Sequence, residues 1–179
     1  MLGSIDLRRN VLEAGRRLGR AVRAAYAEPF VREAAPPGVL RRRRLLIICS
    51  ALLAAAAFLF ALQALRMRGT MTPISAVLLL GGGLALTYPL LRQYTGSSRA
   101  PGLALVLEYV ALTALVVFHG NGFHGAALLW APVAPLLAAY LVSHRAGFAT
   151  AGLVVAELAV IYGLDRAGYP FPDLAGVGL

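Results

Sequence analysis

The sequence predicts an all-α fold: a polytopic transmembrane helix bundle of about five spans, preceded by a cytoplasmic amphipathic helix. Three observations predict it. Of 179 residues, 59% are hydrophobic and 14% charged, against about 25% charged in an ordinary soluble domain. The mean hydropathy is +0.73. The apolar residues gather in five runs of 17 to 21 residues, joined by short polar loops. Charge is gathered too: residues 1–44 hold eleven Arg against four acids, a net +7, while residues 45–179 hold six Arg against four acids, a net +2. This composition excludes a soluble globule and a disordered chain. The single Cys49 excludes a disulfide framework and a multi-cysteine metal site.

The isoelectric point near 10.8 does not point to nucleic acid. A basic segment directly before a hydrophobic span is a cytoplasmic anchor attracted to anionic lipid headgroups. No basic patch is interleaved with aromatic residues, so the partners expected are the lipid bilayer and its anionic headgroups, with no nucleic acid.

Residues 1–40 form the first unit, a basic amphipathic helix with a Pro-containing linker. Leu7, Val11, Ala14, Leu18, Val22 and Ala25 recur at spacings of three and four, which places them on one face of a helix over 5–27. Arg9, Arg16, Arg17, Arg20 and Arg23 spread around the other side, so the helix can lie in a membrane interface. Pro36 and Pro37 break it, and Arg41 to Arg44 form a four-Arg stop at the membrane face. The first hydrophobic run starts too deep for a secretory signal peptide.

Residues 41–179 form the transmembrane bundle. Its expected spans are 45–65, 73–91, 102–118, 125–142 and 147–164. The first, 21 residues without a charge, covers about 30 Å as a helix, one hydrocarbon core. Pro73 opens the second, where a helix tolerates it. The last three are short and borrow a turn from their flanks. Arg92, Arg99, His144 and Arg145 fall in loops on the side of the Arg-rich N-terminus, which the positive-inside rule makes cytoplasmic. Arg66, Arg68, Asp165 and Arg166 fall on the other side. Five spans put the C-terminal tail, 165–179, outside the cell membrane, and the chain reads as one that ends before a sixth span.

Ionisable residues inside the spans are the candidate functional residues. Glu157 lies about 15 Å in from Gly147, and Glu108 about 9 Å in from Gly102. Tyr88 and Tyr140, on spans running the other way, reach the same inner half. Tyr88, Glu108, Tyr109 and Tyr140 are therefore expected to share one polar layer, with phenols hydrogen-bonding the carboxyl, and Glu157 to lie near the midplane. The bland alternative is a static interhelical hydrogen bond that fixes packing. His119, Asn121 and His124 mark a Gly-rich outer loop; two His without a nearby carboxylate or Cys make a poor metal site, and no metal is expected. No HExxH, GxSxG or paired His–acid motif occurs, so no catalytic residue is assigned.

The stretch 119–166 carries a resemblance, which extends over about residues 41–175. Gly120, Gly122 and His124 lead into Leu128, Leu129, Trp130, Pro132 and Pro135; Arg145, Ala146 and Gly147 form an inner loop, and Pro170 and Pro172 an outer one. This arrangement resembles the membrane-embedded input region of certain bacterial sensor histidine kinases, related to regions that precede some bacterial nucleotide cyclases. The resemblance implies a multi-pass protein of the bacterial inner membrane, a homodimer, and a sensory or anchor role in a two-component system, the catalytic core lying outside these 179 residues. A redox-responsive subset carries Gly-Gly-x-x-Asn-Pro-Phe in the outer loop; only Gly122 agrees here, so little of its quinone binding carries over and no other cofactor is implied. The alternatives are a small stand-alone carrier or channel subunit and a structural membrane partner.

Overall fold

The computed structural model describes residues 3–27, 36–119 and 126–171. Among them are seven α-helices and no strand: α1 (Gly3–Tyr26), α2 (Pro37–Arg68), α3 (Pro73–Ala85), α4 (Tyr88–Thr95), α5 (Arg99–His119), α6 (Val133–Leu141) and α7 (His144–Arg166), with a 3₁₀ turn, Ala126–Trp130, ahead of α6. Pro172, Asn121, His124, Gly120 and Gly122, and the end of the expected tail, lie outside the described residues.

The helix starts and stops follow from local chemistry. Pro37 stands in the first turn of α2, where the missing N–H is one no helix would use. The double proline, expected to break a helix, instead starts one: α1 ends at Tyr26, and α2 begins two turns before the apolar run and takes in Arg41 to Arg44. Gly69, at φ 66°, closes α2 with its N–H on the Leu65 carbonyl. Thr72 and Ser75 form a reciprocal capping box at the start of α3. Ser143 caps α7 by accepting the Ala146 N–H at 3.2 Å.

Three helices are long and apolar enough to cross a membrane: Pro37–Arg66, Arg99–His119 and His144–Arg166. The second expected span is not one helix. It is α3 and α4, bent by 41° at Leu86 and Thr87, and counts as a fourth candidate if the pair acts as one span. Pro89 explains the break: it has no N–H to offer the Ala85 carbonyl, and its ring crowds the preceding turn. The fourth expected run is not a full-length helix either. Pro132 and Pro135 shorten it to the 3₁₀ turn and the nine residues of α6. The expectation of five helical spans therefore becomes three, or four with the bent pair.

These pieces nonetheless form five limbs that run up and down side by side. α2 and α3 pack as an antiparallel pair, Gly82 resting on the Ala54 carbonyl and the Phe58 ring. Gly102, near the start of α5, lies against Leu141 at the end of α6. α6 and α7 form a tight hairpin in which Gly147 faces Pro135 and Ala139. Phe118, at the end of α5, stacks with Tyr169 and Phe171 beyond the end of α7, at ring separations of 5.7 and 5.5 Å. α5 and α7 thus point the same way, and the 3₁₀ turn with α6 is the returning limb between them. The Arg41 guanidinium lies over the Tyr140 ring at 5.8 Å, so α2 also starts at this end. The starts of α2, α5 and α7 and the ends of α4 and α6 share one end of the bundle, which carries Arg41 to Arg44, Arg92, Arg99 and Arg145.

α1 packs against α4 at that end. Its expected apolar face is only partly covered: Ala25 is buried, while Leu18 is 61% and Val22 40% exposed. The core runs between α2, α3, α4, α5 and the end of α6, with Leu46, Leu53, Leu78, Leu105 and Leu141 among its buried members.

Close helix approach makes a stability prediction. A Cβ on Gly147 would stand 2.8 Å from the Ala139 Cβ and 3.1 Å from the Pro135 carbonyl oxygen, whereas a Cβ on Gly83 meets nothing within 4 Å. Gly147→Ala is expected to cost about 1–3 kcal/mol. Gly83→Ala is expected to be neutral or to gain up to about 1 kcal/mol. Thermal unfolding of the detergent-solubilised protein checks both.

Candidate functional site: a buried carboxyl beside a broken helix

The candidate site is built by α5 and the bend between α3 and α4. Glu108 stands on α5 and faces α3, where a Cβ on Gly81 would lie 3.3 Å from its Oε1 and 3.0 Å from a Leu112 methyl. Gly81 is thus the residue that leaves room for the carboxyl. The Tyr88 hydroxyl, on the first turn of α4, stands beside the same carboxyl. Tyr88 is buried in the core, packed with Leu105 and Leu112. Both carboxyl oxygens are enclosed, and neither has a hydrogen-bond partner of normal geometry among the described residues. Ser50, fully buried on α2, likewise has an unpartnered hydroxyl. Ser50 is one turn before Ala54 on a helix antiparallel to α3, so it lies on the side of Gly82 towards the bend.

The structure keeps one pair of the expected polar layer and disperses the rest. Glu108 and Tyr88 come together. Tyr109, the next residue on α5, points about 100° away and donates to the Trp130 carbonyl at 2.8 Å, tying α5 to the returning limb. Tyr140 is 56% exposed and lies under Arg41. Glu157 is partly buried on α7, and no hydrogen bond or ion pair links it to Glu108, Tyr88, Tyr109 or Tyr140. His119 ends α5 with its ring edge-on to Phe118 at 5.3 Å; its expected companions Asn121 and His124 lie outside the described residues. Among the described residues no group of three or more His, Cys, Asp or Glu is placed to hold a metal ion.

Several contacts carried no sequence signal. They join α1 to the bend and to the basic end. The Tyr26 hydroxyl donates to the Leu86 carbonyl. Gln93 Nε2 donates to the Ala21 carbonyl at 3.0 Å, and Arg43 donates to the Ala24 carbonyl at 3.2 Å. All three acceptors are backbone oxygens, which no side-chain pattern reveals. Pro89 was the available pointer, because a proline inside an apolar run frees a carbonyl for some other donor.

Comparison with family profiles, curated proteins and solved structures gives no match to this chain. The class is set by the helices themselves: an all-α protein with three to four candidate membrane-spanning helices, and so of multi-pass membrane character.

The unpartnered carboxyl makes the site testable by stability. A static packing role would be lost with Glu108. A carboxyl enclosed in the bundle with one phenol beside it costs the fold more than that contact returns, so Glu108→Met is expected to raise stability by about 1–3 kcal/mol. Tyr109→Phe, which strips a satisfied hydrogen bond, is expected to lower it by about 1 kcal/mol. Thermal or denaturant unfolding in detergent separates the two signs.

Proposed function

We propose that this chain is the membrane-embedded input or anchor module of a signal-transduction protein, of the kind that precedes sensor histidine kinases. One observation carries the reading. Glu108 is enclosed at a broken limb, where a polar group is expensive and static packing does not call for it. The resemblance of residues 119–166 supports it, as does a helix, α1, docked on that same limb at the basic end. In this reading all five limbs cross the bilayer. The returning limb suits this: five residues of 3₁₀ turn and nine of α6, with the two between them, extend about 25 Å, close to a hydrocarbon core. The basic end faces the cytoplasm of the inner membrane, where its arginines meet anionic headgroups. The output domain and the dimer partner implied by the resemblance belong to the same proposal.

The competing reading is a small carrier in which Glu108 lines a pathway. Reconstitution into sealed liposomes with an imposed proton or Na⁺ gradient tests the two. The input reading predicts that the gradient decays as in empty liposomes, within about twofold, and that Glu108→Gln changes the mobility of a spin label at Leu18→Cys on α1. A decay that depends on Glu108 would establish a carrier. An unchanged label would leave Glu108 with packing alone.

A further inference from the structure

We infer that α1 is a strap: its Tyr26 hydroxyl supplies the hydrogen bond that the α3–α4 bend takes away from Leu86, so that docking of α1 and the bend beside Glu108 are one two-state device. The inference rests on the input-module reading and says how that module would be read out at its basic end.

The hydrogen-bond accounting at the bend carries it. Continued as a helix, the chain would pair the Ala85 carbonyl with the N–H of residue 89 and the Leu86 carbonyl with that of Leu90. Pro89 has no N–H, so the first pair cannot form in any helix. The second can, but α4 starts instead with the Leu91 N–H on the Thr87 carbonyl at 2.9 Å. No backbone N–H among the described residues takes the Leu86 oxygen, which accepts from Tyr26. The Thr87 side chain contributes locally, its hydroxyl donating to the Leu84 carbonyl at 2.7 Å. Leu86 lies on the outer side of the limb, and in the apolar phase of a bilayer an unpaired carbonyl there costs about as much as a lost hydrogen bond. The Leu86 oxygen therefore has two available partners: Tyr26 with the limb bent, or Leu90 with the limb straighter.

Two further contacts make the strap cooperative. Gln93, on α4 beyond the bend, donates to Ala21, and Arg43, at the start of α2, donates to Ala24. α1 thus grips both the moving segment and the fixed one. Tyr88 sits two residues past Leu86 and stands against Glu108. A change in the bend moves the Tyr88 hydroxyl relative to the carboxyl, and a change at the carboxyl biases the bend. That is a differential interaction with two states, which a coupling between sites needs.

The lever is large enough to measure. The eight residues of α4 extend about 12 Å, so full removal of the 41° bend would carry its tip about 8 Å sideways, and the partial straightening that Pro89 permits carries it a smaller distance. Burial also pushes the Tyr26 phenol above its ordinary value of 10.0. The docked state therefore favours the neutral, donating phenol. This contribution is fully present below pH 10 and is lost as pH rises through the raised value.

The test uses the full chain in nanodiscs, with Cys49→Ser and pairs of spin labels read by pulsed dipolar spectroscopy. One pair joins α1 to α4 (Leu18→Cys with Tyr94→Cys), the other α4 to the start of α7 (Tyr94→Cys with His144→Cys). In Tyr26→Phe, which keeps the ring and removes the donor, the first distribution is expected to broaden and the second to shift by several Å, up to about 8 Å. Raising the pH above 10 is expected to do the same in the parent and nothing in Tyr26→Phe. Gln93→Leu, a milder loosening of the same strap, is expected to move both in the same direction. Unchanged distributions in Tyr26→Phe would overturn the strap. Release of α1 with α4 unmoved would overturn the coupling. Neither result depends on whether the vesicles leak, so failure here is distinct from failure of the input reading.

Discussion

Backbone groups in an apolar phase must find partners inside the protein, and that constraint shapes this chain more than any single side-chain contact. Where the sequence is plain leucine and alanine, an unbroken helix meets it, as in α2, α5 and α7. Where proline interrupts, other devices meet it. The bend at Leu86 and Thr87 borrows a tyrosine from α1 and a threonine from its own turn. The returning limb uses a 3₁₀ turn and then a short helix, and its Trp130 carbonyl takes the Tyr109 hydroxyl. Both of these proline-broken stretches are tied to another helix by a tyrosine hydroxyl.

Small residues let those limbs close up. Gly82, Gly102 and Gly147 each bring a neighbour to within about a side-chain carbon's contact, and Ala54, Ala57 and Ala61 line the same core. Gly81 does something different: it faces a carboxyl. A Glu enclosed in the bundle with one phenol beside it is a cost that the surrounding packing does not require, and it lies next to the bend between α3 and α4. Glu108, Tyr88 and the bend are therefore better understood together than as three separate oddities.

Much of the architecture was legible in the sequence. The amphipathic leader, the apolar runs and the sidedness of the arginines follow from periodicity and composition, and α1, α5 and α7 match them to within a turn or two. What was not legible depends on direction and on backbone. Depth along the membrane placed Tyr88, Glu108, Tyr109 and Tyr140 in one layer, but depth says nothing of azimuth. Consecutive residues on α5 point about 100° apart, so Glu108 and Tyr109 face different helices. Tyr140 sits near the level of Gly102, closer to the basic end than Glu108, and turns outward, towards Arg41. The double proline at 36 and 37 was a boundary read in only one sense, since Pro37 opens α2. Pro89 within the second run carried the signal for the bend, but the donor that the Leu86 carbonyl takes, Tyr26 on α1, lies 60 residues earlier in the chain and could be found only in three dimensions.

In the proposed topology five limbs each cross the bilayer, the fourth of them through a 3₁₀ turn and a nine-residue helix. The most direct measurement is labelling of single cysteines by a membrane-impermeant maleimide, in sealed vesicles of known orientation, at three exposed positions in a Cys49→Ser background: Met71→Cys, Ser97→Cys and His144→Cys. Five crossings predict that positions 97 and 144 react from the same side and position 71 from the other. Reaction of position 144 together with position 71 would make the returning limb a re-entrant loop, leave four crossings, and contradict the account.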